Sequence, residues 1–165
     1  MTTRAWLVAV VLLAACDGGG GDDVLGVYQT TLHTRNDTGC MPGAAVADPP
    51  YFSFDYFGEL NGSHLYQVVG CTSADAATCA DSIALVADAP VGVFAFHQAA
   101  MQTGPTCTLD FTTYSGDLDG DTFELHIASY EEVQASPPSC TSDDAGARGD
   151  AMPCISSETI AGTLL

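Results

Sequence analysis

CTLDFTTYSGDLDGDTFELHIASY, residues 107–130, decides the fold. From Cys107 to Asp117 the chain alternates Leu109, Phe111 and Thr113 against Asp110, Thr112 and Tyr114. From Asp121 to Tyr130 it alternates Phe123, Leu125 and Ile127 against Glu124, His126 and Ala128. A side-chain period of two is that of a strand with one face toward a core. Asp119-Gly120, between the two runs, is a favoured two-residue turn, so the segment predicts a β-hairpin.

The same grammar recurs on both sides of it. Gly26–Thr34 is rich in β-branched and aromatic residues and stops at the turn cluster Asn36-Asp37-Thr38-Gly39. After Pro49-Pro50, Tyr51–Phe57 sets Phe52, Phe54 and Tyr56 on one face and Ser53 and Asp55 on the other. Asn61-Gly62 is a turn signal that joins this strand to Leu65–Val69. Ser82–Val86 is apolar and short, suited equally to a strand or to a helical turn or two, and Val91–Phe96 reads as a strand. A polar loop covers about residues 136–157 before a final strand, Glu158–Leu165. This pattern predicts an all-β domain, a single antiparallel β-barrel or sandwich, with the barrel preferred. Pairing of the last strand with the first would close the sheet and remove its edges. Gly26-Val27-Tyr28 resembles the Gly-x-Trp opening of lipocalins, with Tyr in place of Trp and no basic residue near the final strand to pack on it.

The N-terminus has a different character. Arg4 precedes the eleven apolar residues Ala5–Ala15, well short of the roughly 20 that a membrane-spanning helix needs. Basic, apolar, then small is the order of a secretory leader. Leu13-Ala14-Ala15-Cys16 resembles the lipobox of bacterial lipoproteins. The resemblance implies a signal peptide over 1–15, lipidation of Cys16, and anchoring of the chain to a membrane through acyl chains such as palmitate. Residues 16–23, Cys16 followed by the run DGGGGDD, then read as a lipidated cysteine and a flexible tether, and 24–165 as the β domain. Asp17 after the cysteine leaves inner or outer membrane open. The expected location is the bacterial cell envelope.

Beyond Cys16 there are six cysteines, Cys40, Cys71, Cys79, Cys107, Cys140 and Cys154. An even number in an exported chain implies a disulfide framework. No C-x-x-C pair is present, which argues against a zinc site. The preferred pairing is Cys71–Cys79 and Cys140–Cys154 as short local loops, with Cys40–Cys107 as the long bridge.

Charge narrows the partners. Against 21 Asp and Glu stand only Arg4, Arg35 and Arg148, with no lysine, for a net charge of −18. Loss of Arg4 with the leader takes the mature value to −19. Such a surface repels nucleic acid and anionic headgroups, so no nucleic-acid partner is expected. The partners expected are a membrane, through the lipid anchor, and a small-molecule or protein ligand of unspecified identity.

Four features invite chemical readings. Asp117, Asp119 and Asp121 alternate in a way similar to calcium loops, although the glycine and the twelfth residue depart from the EF-hand. The expectation is a solvated acidic hairpin, with weak calcium binding as the alternative and no other cofactor. His33, His64, His97 and His126 sit on or beside strands and would meet on a metal only if the sheet gathers them. By alternation, His33 and His126 fall on polar faces, opposite Leu32 and Leu125. Arg148-Gly149-Asp150 resembles the integrin-recognition tripeptide, and chance accounts for it in so Gly- and Asp-rich a segment. The sequons at Asn36 and Asn61 matter only in a eukaryotic secretory route.

No G-x-S-x-G, H-E-x-x-H, phosphate-loop or dinucleotide motif occurs. The primary expectation is therefore a non-enzymatic envelope protein with a binding or structural role, no residue being assigned to catalysis. The alternatives are a small envelope hydrolase using paired carboxylates and a calcium-stabilised adhesive module. An interior filled by Phe52, Phe54, Phe111 and Phe123 would favour the first; a deep pocket holding two carboxylates would favour the hydrolase.

Overall fold

The computed structural model describes residues 9–11, 26–60, 63–87 and 93–165. Cys16, the tether and the Asn61-Gly62 turn lie outside the described residues. The chain is all-β, as its alternation predicts. Its strands are β1 (Ala9–Val11), β2 (Val27–Asn36), β3 (Ala44–Ala45), β4 (Tyr51–Leu60), β5 (Ser63–Cys71), β6 (Cys79–Ala87), β7 (Val93–Thr103), β8 (Thr106–Asp119), β9 (Thr122–Ala135) and β10 (Cys154–Leu164). The segment 82–86, ambiguous by composition, belongs to β6. One α-helix, α1 (Ser142–Arg148), interrupts what the sequence marks as a polar loop.

All strands join one antiparallel sheet in the order β1-β7-β8-β9-β10-β2-β4-β5-β6, with β3 on the flank of β2. The first long strand does pair with the last, from Ser157↔Asn36 to Leu164↔Tyr28. The sheet nevertheless stays open. Its seam lies between β6 and β7, whose Cα atoms approach within 8 Å without forming a ladder among the described residues. The edge of β7 that β8 does not occupy, the one at the seam, is taken by β1, with Ala9 opposite Gln98 and Val11 opposite Phe96.

The β8–β9 ladder runs from Thr106↔Ala135 to Asp119↔Thr122. Its turn is therefore Gly120-Asp121, one residue later than the Asp119-Gly120 that composition predicts. Gly120 takes φ +60°, which suits the first position of a type II′ turn, where glycine avoids a Cβ clash.

Both faces of this hairpin are covered, at different ends. On the concave face Tyr28, Phe52, Phe54, Tyr66, Val68, Phe123, Leu125 and Ile160 form the main core, with Ile83 and Tyr114 on its margin. These residues come from seven strands, and only a strongly curled sheet brings them together. Tyr28 and Phe52 stack at 5.1 Å between centroids, and Phe54 meets Phe123 edge to face at 4.7 Å. Gly162 makes this possible: a Cβ there would sit 2.5 Å from Cε1 of Phe52 and 2.8 Å from the Gln29 carbonyl.

On the convex face Leu109, Phe111, Cys107, Ala145 and Met152 form a second core beneath α1. Phe111 therefore does not join Phe52, Phe54 and Phe123. The register explains why: Phe111 faces Tyr130, whereas Leu125 faces Gly116, so the two apolar stripes of the hairpin point to opposite sides. Thr141 caps α1 by accepting from the Asp144 amide, while Asp144 accepts in return from the Thr141 amide.

The disulfides are Cys71–Cys79, as expected, together with Cys40–Cys154 and Cys107–Cys140. The expected Cys140–Cys154 and Cys40–Cys107 pairs are not formed. Antiparallel neighbours, not sequence neighbours, set the distances. Cys154 opens β10 beside the end of β2, where the following turn carries Cys40; Cys140 precedes α1, which lies over the start of β8 at Cys107. Both pairs are 5.7 Å apart at Cα, within the range a disulfide spans.

Candidate functional site

The curled sheet has two unlike ends. One holds the start of β2, the Gly120-Asp121 turn and the C-terminus, linked by Leu164 N–H to the Asp121 carbonyl (2.7 Å) and Leu165 N–H to that of Val27 (3.0 Å). The other holds the long connections and all three disulfides. We call these the turn end and the loop end.

Toward the turn end the aromatic core fills the concave face. Toward the loop end the same face becomes polar and leaves a cup of about 210 Å³. Arg35 of β2 and Glu158 of β10 supply its charges. Thr112, Ser129, Ser156 and Ser157 supply hydroxyls, and Ile83, Ile127 and Tyr114 the apolar surface. Thr112 and Ser129, opposite each other across β8 and β9, are hydrogen-bonded at 3.1 Å. Burial pushes the Tyr114 phenol up from its ordinary value.

Behind the cup, His33 Nε2 meets Glu158 Oε1 at 2.7 Å. His33 is 8% exposed and Leu32 44% exposed, the reverse of what strict alternation predicts. The cause is a bulge: Leu32 pairs with Ala161 and Thr30 with Gly162, so Thr31 is extra and the faces exchange. Nδ1 of His33 is buried with no partner among the described residues. That atom suits a lone pair, because a second N–H there would be buried unsatisfied. The ring then donates its Nε2 proton to Glu158. Arg35 pairs outward with Asp37 at 2.6 Å. Further along the concave face, burial raises the Asp110 carboxyl while His97 draws it back down.

Asp110 also stands directly opposite Glu131 in the ladder, as Asp117 does opposite Glu124.

A second depression, a groove of about 510 Å³, lies on the opposite face of β2, β10 and β9 and is walled by Cys40, Pro42 and Gly43. On its floor Thr159 Oγ1 lies 3.0 Å from His126 Nδ1, and His126 Nε2 lies 2.9 Å from Glu124 Oε1. The sequence shows no such set, since only the pairing of β10 with β9 brings Thr159 to the Glu124 and His126 of one β9 face. It has the form of a nucleophile, base and acid. Its surroundings differ, because both side chains of the ion pair are about half exposed. Moreover β9 and β10 each have a strand on both sides, so their backbone N–H groups are committed to ladders and none is offered to an oxyanion. These are one pair along β9 and one across to β10 on a wet sheet face.

The other sequence candidates are dispersed. Asp117, Asp119 and Asp121 are exposed at the turn end, and among the described residues no three His, Cys, Asp or Glu groups are close enough to hold a metal. His33 and His97 line the concave face while His126 points outward; the His64 side chain lies outside the described residues. Arg148 of the Arg-Gly-Asp run pairs with Glu132 and Gly149 is buried against Phe111, while the Arg148 and Asp150 side chains stay exposed. No protein-family model matches this chain, no curated protein is similar to it, and no solved structure matches it.

Proposed function

We propose that this chain is a lipid-anchored, non-enzymatic binding protein of the bacterial cell envelope, held at the membrane by Cys16. The observation that carries the reading is the separation of the two ends. The anchor segment enters the domain at Gly26, at the turn end, whereas the polar cup and every disulfide are at the loop end. A glycine-rich segment of the length of residues 16–25 has a root-mean-square span of about 17 Å. It keeps the turn end near the bilayer and turns the cup outward. The aromatic interior is a rigid support for that cup rather than a substrate cavity, and three disulfides suit an oxidising exterior.

Expression in a bacterial host, with membrane fractionation of wild type and Cys16→Ser, tests the reading. Wild type should sediment with membranes and take up labelled acyl chains, and the variant should do neither. Equal membrane retention of the two would sink it.

A further inference from the structure

The cup has a chemistry that names a ligand class. We infer that it takes a single polyhydroxylated ring, and that an amine on that ring strengthens binding; this rests on the binding role proposed above and specifies its ligand. Concave clefts whose apolar walls carry a few placed polar groups are recurrent small-molecule sites. Here Ile83, Ile127 and the Tyr114 ring offer a face for the C–H side of a sugar. Thr112 and Ser129, on facing strands, offer hydroxyls that both donate and accept. The volume of about 210 Å³ admits one ring and not a chain of them.

Charge selects among such rings. Glu158 is a carboxylate that stands opposite Arg35 in the β2–β10 ladder, and the hydrogen bond of Arg35 goes to Asp37 rather than to Glu158. His33 meets only one of its oxygens, Oε1, and does so with the single proton that its buried Nδ1 leaves to the ring. A carboxylate in this position attracts an ammonium group. The chain as a whole, with 21 acidic residues against three arginines, repels an anionic ligand before it arrives. The order expected is therefore amino sugar, then neutral sugar, then uronic acid.

Calorimetric titration of the full-length protein with D-glucosamine, D-glucose and D-glucuronate at millimolar concentrations tests the assignment. Glucosamine should bind best, glucose about tenfold more weakly, and glucuronate not measurably. Glu158→Gln, which keeps a hydrogen bond to His33, should bring glucosamine down to the level of glucose. Ser129→Val should weaken both. Absence of binding by all three, or glucuronate binding as well as glucosamine, overturns the assignment, and the wild-type order decides even if a variant misfolds. A protein that takes up lipid but no sugar overturns the ligand alone; one that binds sugar without lipid overturns the anchor alone.

Discussion

Removing the disulfides one pair at a time should destabilise the domain in an order set by the chain each one closes. The separations are 114 residues for Cys40–Cys154, 33 for Cys107–Cys140 and 8 for Cys71–Cys79. Loop-closure entropy of the unfolded chain then gives about 4.8, 3.7 and 2.5 kcal/mol respectively at 25 °C. Replacement of both partners by alanine adds a packing loss where the sulfur is buried, as at Cys71 and Cys107, but little at exposed Cys40. Urea unfolding of the three double variants, under non-reducing conditions, reads the order directly from the midpoints. Thiol counting by mass provides an independent check. Cys40→Ala/Cys154→Ala should leave no free thiol, because Cys107 and Cys140 remain bonded to each other. The local pairing favoured by sequence spacing would leave both as free thiols in that variant. Two free thiols, or a Cys71–Cys79 deletion costlier than the Cys40–Cys154 deletion, would refute the reasoning.

Gly162→Ala should cost about 1–3 kcal/mol by overpacking, and adding Phe52→Leu should recover part of it; additive losses in urea melts would show that the two positions do not press on each other. Hydrogen bonds from Thr141 and Ser139 hold the Asp144 carboxyl below its ordinary 3.8, so the cap on α1 is intact above that pH and is lost as the pH falls through the lowered value. An NMR titration should place the Asp144 midpoint below 3.8, and a midpoint at or above it contradicts the capping geometry. A chain beginning at residue 16 lacks β1, so amides near Phe96–Gln98 should exchange faster while the β8–β9 ladder keeps its protection. Unchanged protection would mean that β6 takes over the edge.

The hairpin at 107–130 was legible because its alternation is unbroken and glycine marks its turn. The two-sided use of that hairpin was not legible, since alternation gives two faces and does not say which partner covers each. α1 left one clear trace, Thr141 three residues before Asp144, but seven residues that include Gly146 carry too little periodicity to mark a helix. Strict alternation puts His33 on the wrong face because a single extra residue at Thr31 inverts every side chain beyond it. The cup was beyond sequence reading altogether. Arg35, Thr112, Ser129 and Glu158 lie on four strands, and only the pairing of β2 with β10 and of β8 with β9 gathers them.

Cys16 is where the functional reading is most exposed to test. Intact-mass analysis of the protein extracted from bacterial membranes should find a chain that starts at Cys16, lacks residues 1–15, and carries the added mass of acyl chains on its first residue. A chain that retains Met1–Ala15, or one that starts at another residue without lipid, would contradict it.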